Sequence, residues 1–220
     1  MKLRVPGASL YYEVRGSGPV LLMMPGGPAD AGAFRRIAEP LESHYTVVTY
    51  DPRGLSHSTL DGPLQDDRIV EIFADDVHRL LTAAAKEGAD VFASSGGAVI
   101  GLELAVRHPG QVRTLVAHEP PAPALMADPA RERAAMAEIV ETFRTAGIGP
   151  AMRKFMVQTR IRGGIVPAVG DASRGELAHE GGLRLAARLG TEAVVFPGAH
   201  GGFESHAGRF AVKLREVLQD

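Results

Sequence analysis

Residues 91–97 read Val-Phe-Ala-Ser-Ser-Gly-Gly, and no other stretch of the chain restricts its fold as tightly. An apolar run stops at Ser94 and Ser95, small residues follow, and a helical pattern starts at once. Such a stretch turns a buried strand sharply into a helix with a serine at the apex. A turn this tight leaves no room for large side chains two positions to either side, a condition that Ala93 and Gly97 meet. It lifts the Ser95 hydroxyl out of the sheet and aims the next amide, that of Gly96, into the same space. The same residues also suit a plain Ser/Gly turn with no chemistry attached.

Around this turn, short apolar runs alternate with helical periodicity, the mark of a mainly parallel sheet covered by helices. Strands are predicted at Leu10–Val14 (an edge), Pro19–Met24, Thr46–Tyr50, Ala89–Ser94, Val112–His118, Ile165–Val169 and Ala193–Phe196. Helices are predicted at Ala31–Leu41, Asp66–Lys86, Gly97–His108, Glu176–Leu189 and Phe203–Leu218. In the second of these, Ile69, Ile72, Phe73, Val77, Leu80 and Leu81 share one face. Residues 120–162 are Pro/Ala-rich and helical without a strand signal. The expectation is therefore one α/β domain over residues 1–220: a mainly parallel central sheet, helices on both faces, and residues 120–162 as a small helical cap insertion.

Size and charge are compatible with this. A chain of 220 residues, 45% of them apolar, can bury a substantial core. A net charge of −2 gives no electrostatic reason to expect a nucleic-acid or anionic-membrane partner. With no cysteine, a disulfide framework, thiol catalysis and thiolate metal sites are excluded. Residues 1–12 hold no apolar core of signal-peptide length, and Pro6-Gly7 interrupts them. No apolar stretch approaches the ~20 residues that span a bilayer, so the expected location is cytoplasmic.

With these elements placed, the chain resembles the α/β-hydrolase superfamily, of the serine hydrolase or esterase type with a short cap, over nearly its whole length. Ala93-Ser94-Ser95-Gly96-Gly97 is similar to the family's G-x-S-x-G nucleophile elbow, with Ala93 for the first glycine. Pro25-Gly26-Gly27-Pro28 resembles the His-Gly-Gly-Pro oxyanion loop, with Pro25 in place of histidine. Asp51-Pro52-Arg53-Gly54-Leu55-Ser56-His57-Ser58 is similar to D-x-R-G-x-G-x-S and is expected to fix a loop rather than do chemistry. Phe196-Pro197-Gly198-Ala199-His200 resembles the family's histidine loop after the final strand.

The chemistry explains the residue types. A serine hydroxyl is a poor nucleophile at neutral pH and needs a base to take its proton. Histidine, with an ordinary pKa of ~6.5, can accept and return that proton. Of the eight histidines, His200 alone follows the last strand in a Pro-Gly loop able to bend over the sheet. His44, His57, His78, His108, His179 and His206 read as surface or structural, and His118 as structural or pocket-lining. Candidate oxyanion donors are the backbone amides of Gly27 and Gly96. An acid must hold His200 in the right tautomer. Glu119, after the strand that follows the elbow helix, is favoured. Asp171, in Gly170-Asp171-Ala172-Ser173, is the alternative; the resemblance implies an acid near there, but Ser173 stands at the family's usual place.

The resemblance implies a serine hydrolase that cleaves a small ester, thioester or lactone through an acyl-enzyme, with no cofactor and no metal. A slow or non-catalytic ligand-binding member of the fold is an alternative, as are a proline iminopeptidase-like enzyme and a carbon–carbon bond hydrolase. The expected partner is a small-molecule substrate, with neither nucleic acid nor membrane; a homodimer stays open.

Overall fold

The computed structural model describes residues 1–64, 68–85, 87–121 and 165–219. Its strands are β1 (Lys2–Val5), β2 (Ala8–Gly16), β3 (Val20–Met24), β4 (Thr46–Tyr50), β5 (Thr59–Leu60), β6 (Ala89–Ser94), β7 (Val112–His118), β8 (Ile165–Gly170) and β9 (Val194–Phe196). They form one sheet in the order β1-β2-β4-β3-β6-β7-β8-β9, with β5 paired to β2. From β4 to β9 every neighbouring pair is parallel, while β2 runs antiparallel to β1, β4 and β5.

Strands buried on both faces read as continuous apolar runs, because consecutive side chains go to opposite sides. In β3, Leu22 and Met24 join Val91, Ala93, Leu115 and Ala117 on one side. There they pack on α2 (Ile69–Ala84) and α3 (Gly96–Arg107) through Val77, Leu80, Leu81 and Leu102. Leu21 and Met23 face the other side with Val47, Phe92, Val116 and Phe196. That side is covered by α1 (Arg35–Leu41) and the C-terminal helix Ala207–Gln219 through Ile37, Leu41, Phe210 and Leu214. Helices therefore cover both faces, as the alternating pattern predicts. Burial deepens toward the C-terminal ends of β3, β7 and β8, which end side by side with β6.

Several element boundaries differ from the sequence expectation. The predicted edge strand Leu10–Val14 is the middle of the longer β2, and β1 takes the edge beside it, with Leu3 opposite Leu10. Pro6-Gly7, read as a break, is the hairpin turn itself, with Gly7 at φ +76°. Ala31–Leu41 splits into a 3-10 turn, Ala31–Phe34, followed by α1. Asp30 caps this segment by accepting the Gly32 N–H at 2.8 Å. The last predicted helix breaks at His206 into α5 (Gly202–Ser205) and α6 (Ala207–Gln219), after α4 (Leu177–Leu189). The proposed cap, 120–162, lies outside the described residues except for Pro120 and Pro121. Among the described residues, no helix is long and apolar enough to cross a membrane.

Candidate active site

Ser95 sits between β6 and α3 at φ 55°, ψ −128°. A non-glycine residue held there costs ~1–3 kcal/mol, so its surroundings must impose the conformation. They do so through backbone contacts. The Ser95 N–H donates to His118 O at 2.9 Å, and Ala98 N–H donates to Ser95 O at 2.9 Å. A Cβ on Gly97 would lie 2.4 Å from Pro25 O, and one on Gly26 would lie 2.5 Å from both Ser94 O and Ser95 Cβ. The loop 25–28 and the apex of the turn thus touch backbone to backbone, which explains the glycines on both. Ala93 is small for a related reason: α3 crosses it at Gly101, where a Cβ would stand 3.2 Å from Ala93 Cβ.

Ser95 and Gly96 are half-buried, whereas Ser94 is buried. The Gly96 amide is among the first N–H groups of α3, which have no partner within the helix. Gly27, at φ 56°, lies in the exposed part of the neighbouring loop. Among the described residues neither amide has a hydrogen-bond acceptor.

Glu119 follows β7 directly and is fully buried, at φ 48°. Its Oε2 is 2.6 Å from His200 Nδ1, and its Oε1 accepts the Gly170 N–H at 2.9 Å and the Ser173 hydroxyl. Burial pushes the Glu119 carboxyl up, but the hydrogen bonds from His200, Ser173 and Gly170 outweigh it and hold the group at about 2. An ionised carboxylate only accepts, so His200 Nδ1 carries the proton and Nε2 is left as the basic nitrogen. Asp171 is placed differently. Its carboxylate accepts the Gly198 N–H at 2.8 Å and so ties the end of β8 to the loop that carries His200. Of the two candidate acids, the structure brings Glu119 to His200.

The loop 51–58 is a structural knot, as its motif predicts. Asp51 accepts from the Ala31 and His57 N–H groups and faces His57 Nδ1 at 2.9 Å, while buried Arg53 grips Asp76 with two nitrogens at 2.6 and 2.5 Å. His78 and His108 stack on each other at 3.8 Å, and His206 packs behind Gly198.

Two histidines are more central than their sequence positions suggest. His179, on α4, is buried with Nδ1 3.2 Å from Ser173 Oγ. His118 is fully buried in a cage of Phe92, Phe196, Phe203 and Phe210, with ring centroids 5.4 to 6.5 Å away. Its Nδ1 is 3.4 Å from Ser94 Oγ, and among the described residues its Nε2 has no hydrogen-bond partner. Burial, opposed by Glu119 and helped by His200, pulls its pKa from 6.5 to about 4. A histidine that is harder to protonate folded than unfolded stabilises the fold only while neutral, so stability falls as pH drops from about 6.5 to about 4. Glu119, depressed from 4.5 to about 2, extends the loss below that window. Urea unfolding at pH 7 and pH 4.5 checks this: His118→Phe is expected to shrink the stability difference, and an unchanged difference contradicts it.

The arrangement places a strained serine, two unpartnered amides and a carboxylate-bound histidine along one rim of a parallel sheet, where such sheets hold ligands. Among the described residues, no group of three or more His, Asp or Glu side chains could hold a metal ion. A family profile described as "alpha/beta hydrolase fold" matches residues 19–145. The chain is 36% identical over 258 residues to YraK of Bacillus subtilis, named an uncharacterised hydrolase, with 99% of this chain and 95% of that protein covered. Two solved structures share the fold. A thermophilic esterase from Thermogutta terrifontis aligns at TM-score 0.77 and 15% identity, covering 100% of this chain and 98% of that one. An enol-lactonase from Burkholderia xenovorans aligns at TM-score 0.72 and 17% identity, covering both chains fully.

Proposed function

This chain belongs to the α/β-hydrolase fold family, and on that premise we propose that it is a serine hydrolase that cleaves a small ester, thioester or lactone. The observation that carries this reading is the 2.6 Å contact between His200 Nδ1 and buried, ionised Glu119, on the same sheet rim as the strained Ser95. The names of the esterase and enol-lactonase that share the fold point to the same class of acyl–oxygen substrate.

On this reading the reaction uses Ser95, His200, Glu119 and the two backbone amides. His200 Nε2 takes the Ser95 hydroxyl proton as Oγ bonds the substrate carbonyl carbon, and the carbonyl π electrons move onto its oxygen. The Gly27 and Gly96 amides stabilise that oxyanion, each worth ~3 kcal/mol in comparable sites. Glu119 stabilises the imidazolium without itself taking a proton. Collapse of the adduct breaks the bond to the alkoxide or thiolate, which receives the proton from His200 Nε2. Water, deprotonated by the same nitrogen, then attacks the acyl-enzyme, and a second collapse releases the carboxylic acid and re-forms the Ser95 hydroxyl.

A p-nitrophenyl acetate assay tests the reading: a nitrophenolate burst matched to enzyme concentration, then steady turnover, is expected. Binding of the ester without release of nitrophenolate would instead favour a ligand-binding protein. Gly26→Ala probes the oxyanion loop, because the new Cβ would lie 2.9 Å from Gly96 N and 2.5 Å from Ser95 Cβ. The loop must then move away from the apex, and kcat is expected to fall roughly 100-fold. A wild-type kcat would place the oxyanion donors elsewhere.

A further inference from the structure

We propose that Ser173 and His179 are positioning residues for the Glu119–His200 pair, forming a hydrogen-bonded chain that fixes how the Glu119 carboxylate faces; this rests on the serine-hydrolase reading above. Neither residue touches the reacting atoms; Ser173 stands where the family resemblance implies an acid, and His179 reads from sequence as surface or structural.

Ser173 is fully buried, and its one hydroxyl proton has three neighbours that could accept it. These are Glu119 Oε1, Gly170 O at 3.2 Å and His179 Nδ1 at 3.2 Å. The carboxylate is the charged acceptor and the shortest contact, so the proton goes there. His179 Nδ1 must then donate to the Ser173 oxygen, which selects the tautomer with hydrogen on Nδ1. In the other tautomer, bare Nδ1 would compete with Glu119 for the Ser173 proton. Oε1 would then keep only the Gly170 N–H, which leaves the carboxylate less firmly oriented toward His200.

The surroundings hold this chain in place. His179 is 6% exposed, on the first turn of α4. One helical turn later Gly182 lets α4 press onto β8, since a Cβ there would lie 2.5 Å from Val169 Cγ1. A Cβ on Gly170 would lie 3.0 Å from Ser173 Oγ and 2.3 Å from Gly198 O, so the Ser173 and His200 loops are locked together. The sequence of contacts runs His179 Nδ1–H to Ser173 Oγ–H to Glu119 to His200.

The test uses the full chain with p-nitrophenyl acetate and compares Ser173→Ala, His179→Phe, His179→Asn and the Ser173→Ala/His179→Phe double variant. Ser173→Ala is expected to lower kcat roughly 10- to 100-fold with KM within about twofold, since misplacing catalytic groups by about 1 Å can cost about 100-fold. His179→Phe should lower kcat about 3- to 10-fold, whereas His179→Asn, whose amide can replace the Nδ1–H donor, should stay within about twofold of wild type. Because His179 acts through Ser173, the double variant should be no slower than Ser173→Ala alone. The inference is overturned if both single variants stay within twofold of wild type, if their losses multiply in the double variant, or if His179→Asn is as impaired as His179→Phe. Should Ser173→Ala not fold, the His179→Phe and His179→Asn pair decides by itself. A wild-type protein that releases no nitrophenolate overturns both readings, whereas normal turnover with indifferent Ser173 and His179 variants overturns only this one.

Discussion

Ser95→Ala is expected to abolish the nitrophenolate burst and to lower ester turnover by roughly 10^4- to 10^6-fold, the scale seen when a nucleophile is removed from a unit that works together. The fold should survive, because among the described residues the Ser95 hydroxyl makes no hydrogen bond. Its conformation is set by the N–H bond to His118 O and by the contacts of Gly26 and Gly97 with neighbouring backbone. Ser95→Gly sharpens the contrast. At φ 55° a glycine avoids the steric cost that serine bears, so this variant should be equally inactive yet more stable by about 1 kcal/mol. Retained turnover in either variant would mean that another group attacks the ester.

Glu119→Gln is the second large effect, with kcat expected to fall about 10^4-fold. The reason lies in which atoms face which. Gly170 N–H and the Ser173 hydroxyl both donate to one side of the carboxylate, so the glutamine oxygen must stay there. Its NH2 group then meets His200 Nδ1, which must become an acceptor and shift its proton to Nε2. A His200 protonated on Nε2 cannot take the Ser95 proton. The same substitution removes the carboxylate held at about 2, so the acid-induced loss of stability between about pH 4.5 and 2 should flatten. Asp171→Asn, by contrast, should keep most activity, since its oxygen can still accept the Gly198 N–H. Equal losses in the two variants would mean that the Glu119–His200 contact does not govern turnover.

The sequence made some of this legible for identifiable reasons. The turn around Ser95 was readable because backbone contact with residues 25–28 tolerates only small side chains, and composition records that directly. His200 was readable because one histidine follows the last strand in a loop with Pro197 and Gly198. Motif register favours Glu119 over Asp171 but leaves both open. Both residues leave the C-terminal ends of neighbouring strands, since His118 lies opposite Ala168 in the β7–β8 register. Only the chain direction after each strand separates them: Glu119, at positive φ, points at His200, and Asp171 points at the backbone of the His200 loop.

Ser173 and His179 were invisible as partners because their meaning depends on a fold-over between α4 and β8 that no local pattern encodes. The burial of His118 had the same source, since the phenylalanines that enclose it come from β6, β9, α5 and α6. Strand β1 was missed because it is short and alternates polar with apolar residues, and Pro6-Gly7 reads as a break rather than as a hairpin turn.

The most direct test of the account is covalent. Incubation with a fluorophosphonate, followed by intact-mass measurement and peptide mapping, should add one phosphonyl group per chain, on Ser95. His200→Ala should slow that labelling by orders of magnitude, because the serine then lacks its base. No adduct, or an adduct on the adjacent Ser94, would contradict the assignment of Ser95 as the nucleophile.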